Sequence, residues 1–163
     1  MKILSMKTTI FLGAMLSLLV CLMFTGCSNS ETNSTSRGLT DFAHIEEEYL
    51  ATIDSLNWPD GIELPDKLED EDTGASFQVG YGETRASYLW EYSWMKEWLD
   101  TYNTDPERAE KALEELEKAF DMPYMGIDRC DDATRNYLRE NIDKAKLGDP
   151  SGFTESIRAN YAN

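Results

Sequence analysis

From Asp41 to Asn57 the apolar residues Phe42, Ile45, Tyr49, Ile53 and Leu56 recur at spacings of three and four, the signature of one helix face. Trp58-Pro59-Asp60-Gly61 ends that helix. The stretch from Ile62 to Gly82 carries Pro65, three glycines and a dense acidic run, and only Phe77, Val79 and Tyr81 alternate within it. It reads as a long acidic loop with room for one short strand. A second helix, from about Glu83 to Tyr102, is the most apolar segment after residue 40. On a wheel of 100° per residue, Tyr88, Tyr92, Met95, Leu99 and Tyr102 form its apolar face, with Trp90, Trp94 and Trp98 extending that face sideways.

A third helix follows Thr104-Asp105-Pro106-Glu107, where Thr with Glu three residues later makes a capping box and Pro falls in the permitted first turn. Its inner residues are Ala109, Ala112, Leu113, Leu116 and Phe120, and Met122-Pro123 stops it. Asp131 or Asp132 can cap a fourth helix running to Leu147, with Gly148 closing it and Tyr137, Leu138, Ile142 and Ala145 expected inside. Asp149-Pro150 opens a short fifth helix in which Phe153, Ile157 and Tyr161 recur every four residues. The fold class expected is therefore all-α: a small bundle of about five helices over residues 41–163, after a flexible stalk and with one long acidic loop.

The N-terminus has a different pattern. Lys2 and Lys7 precede the apolar run Ile10 to Phe24, and the small residues Thr25-Gly26 follow, which is the layout of a signal peptide. Phe24-Thr25-Gly26-Cys27 resembles the lipobox of bacterial lipoproteins, with Phe24 standing where that family more often has Leu. The resemblance covers residues 1–27 and implies cleavage before Cys27, lipid attachment to Cys27, and a protein held on the extracytoplasmic face of the membrane. An uncleaved anchor is the other reading. Residues 1–26 are then the signal peptide, and 27–40 are the lipidated cysteine and a stalk rich in Ser, Thr and Asn.

Charge narrows the partners. The chain has 163 residues and a formal charge of −16. Removing Lys2 and Lys7 leaves 13 basic against 31 acidic side chains, which disfavours nucleic acid and anionic headgroups. The remaining partners are the membrane, through the lipid, and a protein or another cell-envelope component. Loss of Cys21 and lipidation of Cys27 leave Cys130 without an intramolecular partner, so the domain must stand without a disulfide.

Few residues suggest chemistry. Trp90, Trp94 and Trp98 are either core or the wall of a groove for a ligand or a partner helix. Glu91 falls inside the apolar arc, where a carboxylate must be paired or protonated. Arg85, Arg129, Arg135 or a tyrosine hydroxyl are its expected partners, and a general acid in a cleft is the alternative. Asp66, Glu69, Asp70, Glu71 and Asp72 supply oxygen ligands suited to Ca²⁺. The EF-hand spacing fails, because placing Gly74 sixth puts Gly80 where the bidentate acid belongs. His44 is alone, which leaves zinc without a ligand set. Arg135, Arg139 and Lys146 form a basic stripe expected to neutralise Glu46 to Glu48 and Glu114, Glu115 and Glu117. No phosphate-binding glycine loop, serine-nucleophile elbow or paired-cysteine motif occurs, and neither a cofactor nor a metal is expected. The functional expectation is a non-enzymatic binding module, with a tethered hydrolase using Glu91 or a Ca²⁺-dependent module as alternatives.

Overall fold

A computed structural model describes residues 38–69 and 71–161. The signal-peptide and lipobox residues, Cys27, the stalk up to Arg37, and Asp70 lie outside these. The described residues form five α-helices and a two-stranded antiparallel sheet. In chain order they are β1 (Leu39–Thr40), α1 (Phe42–Ser55), β2 (Phe77–Gln78), α2 (Tyr81–Thr101), α3 (Pro106–Glu117), α4 (Asp132–Lys146) and α5 (Ser151–Asn160). Two 3₁₀ turns, Lys118–Asp121 and Pro123–Met125, join α3 to α4. The all-α bundle expected from periodicity is the fold. None of the described helices is long and apolar enough to cross a membrane.

The stalk was expected to run through Thr40, yet Leu39 and Thr40 pair with Gln78 and Phe77. The polar composition of 28–40 hid this, because β pairing uses backbone groups that any residue carries. Caps fix the helix starts. Asp41, Asp105 and Asp131 accept the backbone N–H of His44, Arg108 and Thr134 respectively. The expected Thr104 capping box is thus replaced by Asp105, one residue later. Gly148, at φ 80°, supplies the left-handed turn after α4.

Apolar burial is organised around α2, which packs on α1, α3 and α5. Its first turns join Ile45, Tyr49 and Ile53 of α1 with Leu68, Phe77 and Ala86. Its remainder joins Trp90, Trp94, Met95 and Trp98 with Leu116, Leu138, Ile142 and Phe153 of α3, α4 and α5. Trp58 packs against both clusters. Each such large side chain stabilises the fold by about 1.5–3 kcal/mol.

The orientation of α2 differs from the wheel. Of the expected face Met95 is fully buried, but Tyr88 is 42% exposed and Tyr92, Leu99 and Tyr102 are half-buried, whereas the tryptophan side is buried together with Ser87, Ser93, Glu97 and Thr101. The hydroxyls make this possible: Ser87, Ser93 and Thr101 donate to the carbonyls of Glu83, Leu89 and Glu97, four residues back. With their polar groups satisfied inside the helix, they bury as small apolar residues do. In α4, Tyr137 was expected inside and is 40% exposed, while Asn141 takes an inner position.

Candidate functional site

Trp90 and Trp94 are both 1% exposed, and Trp98 is 2% exposed. The three do not form the wall of an open groove. The indole N–H groups of Trp90 and Trp94 both donate to the Asn57 carbonyl, at 2.8 and 3.1 Å. Trp98 stacks on Tyr102 and meets Phe153 edge-on. The core reading of the stripe is the one the structure adopts. Only Trp98 reaches a surface depression, of about 460 Å³, lined also by Tyr102, Leu113, Glu114 and Lys146.

Glu91 is different. It is buried beside Trp98 on the helix wheel, and it contributes to a cavity of about 420 Å³ bounded by α2, α4, α5 and the second 3₁₀ turn. Tyr88, Met125, Tyr137 and Tyr161 share the lining. None of the arginines proposed for it arrives. Arg85 binds Glu71, Arg129 binds Glu83, and Arg135 binds Asp132 and the carbonyls of Met125 and Cys130. The partner is the tyrosine hydroxyl: Tyr124 donates to Glu91 Oε2 at 2.8 Å. Oε1 takes no hydrogen bond from the described residues.

Burial raises the Glu91 carboxyl from 4.5 to about 7, and the Tyr124 hydroxyl offsets part of that rise. The carboxylate in turn holds the tyrosines protonated. Tyr124 and Tyr161 are raised first by burial and then by Glu91, and the same two causes act on Tyr88. Ring contacts brace the assembly, with Tyr88 edge-on to Tyr124 at 5.6 Å and Tyr92 against Tyr161 at 4.9 Å. The Tyr161 hydroxyl also donates to the Tyr88 carbonyl at 3.3 Å.

A second buried carboxylate on the same helix shows what a structural solution looks like. Glu97 receives two bonds from Arg108, from Nε at 2.7 Å and Nη2 at 2.9 Å. Glu91 has no such fork. Chemically it can donate or accept a proton near neutrality, or present a negative charge to whatever enters the cavity.

The other expected residues have ordinary partners. Burial is the main cause raising the Cys130 thiol, which contacts Met125 Sδ at 3.5 Å, so its neighbourhood does not activate it. Glu69 pairs with Lys67, Glu71 with Arg85 and Tyr81, and Asp72 with the Gly74 N–H. Among the described residues no three His, Cys, Asp or Glu side chains converge as a metal site. His44 lies 3.4 Å from Glu48. Of the basic stripe only Lys146 reaches α3, at Glu117; Arg139 covers the Phe120 ring instead. Glu48 was expected to face α4 but turns to α2, where its carboxylate accepts the N–H groups of Gly80 and Gly82 at 2.7 and 3.2 Å.

Sequence reasoning singled out Glu91 but missed Tyr88, Tyr124, Tyr137 and Tyr161 as its surroundings. Three of these lie on other elements, and only the packing order brings them to α2. No protein-family model, curated protein or solved structure matches the chain.

Proposed function

We propose that the protein is a lipid-anchored, extracytoplasmic binding module, tethered through Cys27, whose ligand enters the Glu91 cavity. The observation that carries the binding reading is a buried carboxylate bordering an accessible space of ligand size without a charged partner. The lipobox-like Phe24-Thr25-Gly26-Cys27 supports the tether. Against a hydrolase stands the lining itself: Glu91 is its only carboxylate, and it contains no histidine, lysine or arginine. Acid-base hydrolysis at a glycosidic bond uses two carboxyl groups, so the second is missing.

The binding reading is tested with methyl-labelled methionine, because Met125 lines the cavity. Small cations, anions and neutral polyols are titrated separately against the detergent-solubilised chain. The expected result is that one class shifts the Met125 resonance and that Thr134→Trp, which obstructs the cavity from an exposed lining position, abolishes the shift. No response from any class overturns the reading, and turnover of a bound compound replaces it with the hydrolase. Metabolic labelling with radioactive palmitate is expected to mark the wild-type chain and not Cys27→Ala, and an unlabelled wild type overturns the lipid tether.

A further inference from the structure

The cavity wall has a consistent electrostatic character. Its polar groups other than Glu91 are hydroxyls and one amide: tyrosines from three elements, Thr134, Ser156 and Asn160. The Asn160 amide already donates to the Ser156 carbonyl at 3.1 Å. Tyr88 and Tyr137, 42% and 40% exposed, have ring surface available to solvent. Aromatic ring faces carry partial negative charge, as does an ionised Glu91, and no positive side chain lines the space to balance them. An anion would meet the Glu91 charge with no cation in the lining to offset it.

We propose that the cavity takes a small organic ammonium ion, its charge set against Glu91 Oε1 and its alkyl groups against the rings of Tyr88, Tyr137 and Tyr161. The proposal rests on the binding reading above and specifies its ligand class. The formal charge of −16 on the chain draws cations toward the surface in the same direction.

The geometry couples binding to a proton. With its carboxyl at about 7, Glu91 is mostly protonated in mildly acidic solution, and a cation beside it favours the ionised form. The groups facing Glu91 are Tyr88 on its own helix, Tyr124 from the 3₁₀ turn, Cys130 before α4, Tyr137 on α4 and Tyr161 after α5. Burial raises Tyr88, Tyr124, Tyr161 and Cys130, which keeps them neutral while Glu91 titrates. Ammonium in, proton out is therefore the exchange.

Calorimetry on the detergent-solubilised full chain tests it, with choline and n-butylammonium as probes and their uncharged analogues 3,3-dimethylbutan-1-ol and butan-1-ol as controls. Both ammonium ions are expected to bind at least about tenfold more tightly than the alcohols at pH 8, since only they gain the charge and ring contacts. Affinity should fall about tenfold from pH 8 to pH 6 as Glu91 takes up its proton, with proton release at pH 6 visible as a buffer-dependent heat. Glu91→Gln should weaken choline at pH 8 and remove the pH dependence; Tyr88→Leu with Tyr137→Leu, at two exposed positions, should weaken it at both pH values. Alcohols binding as well as the ammonium ions overturn the cation assignment and leave the binding reading standing. Failure of all four probes overturns the cation assignment, and the Met125 titration then decides the binding reading separately. Cation binding without proton release in the wild-type chain overturns the exchange even if the Glu91 variant does not fold.

Discussion

At its first turn α2 exposes backbone N–H groups, and a carboxylate from another helix answers them: Glu48 of α1 accepts from Gly80 and Gly82. In its middle, α2 buries a carboxylate of its own, and a single neutral hydroxyl from Tyr124 answers it. The first arrangement matches anion to helix N-terminus, which stabilises the junction of α1 and α2. The second leaves Glu91 Oε1 without a donor among the described residues, beside a cavity that Glu91 helps to line, and burial raises the carboxyl toward neutrality. A fold able to supply a paired anion at one end of a helix, and a bidentate arginine at Glu97, has withheld a cation from Glu91. That contrast is the observation on which the proposed binding reading rests.

Breaking the sealed end should have the largest effect. A Cβ on Gly82 would sit 1.8 Å from the Ile45 carbonyl oxygen, a main-chain atom that moves only with its helix. Gly82→Ala should cost about 3 kcal/mol by overpacking, measured by urea unfolding. Little or no loss would show that α1 and α2 are free to separate.

The open region should reveal itself next, through pH. Because the folded carboxyl lies above its unfolded value, Glu91 contributes stability that is complete below 4.5 and is lost as pH rises through about 7. Between about pH 5 and pH 8 the wild type should lose on the order of 2–3 kcal/mol relative to Glu91→Gln, whose side chain does not titrate. Parallel stability curves for the two proteins would place Glu91 in a solvated setting and dissolve the contrast.

Smaller effects sharpen it. Glu48→Ala removes the anion at the start of α2 and should cost about 1–2 kcal/mol, as lost helix caps do. Tyr124→Phe removes the one donor to Glu91 and should cost about 1 kcal/mol. It should also move the Glu91 midpoint upward by carboxyl-carbon NMR, since that hydroxyl lowers it. A downward movement would mean that water replaces the hydroxyl.

Local chemistry made much of this legible in sequence. The α4 boundaries follow from Asp131 and Gly148, and Pro106 opens α3 as its fixed φ allows. The rotation of α2 was not legible, because Ser87, Ser93 and Thr101 look polar until their hydroxyls are seen bonded to the preceding turn. Glu91 stood out as a carboxylate among apolar residues, yet its partner did not. Tyr124 lies in a 3₁₀ turn with no periodicity of its own, and it reaches α2 from 33 residues away. The two-residue sheet was equally hidden, since a ladder so short leaves no alternation to count on the β1 side.

The shared acceptor for Trp90 and Trp94 bears on how the sequence can vary. Both indoles donate to the carbonyl of residue 57, a main-chain atom that every amino acid provides. Substitution at Asn57 therefore leaves the acceptor in place, whereas substitution at either tryptophan removes a donor and a large buried ring together. Natural drift should run freely at position 57 while positions 90 and 94 stay nearly fixed, an unequal tolerance written into one hydrogen-bonded cluster.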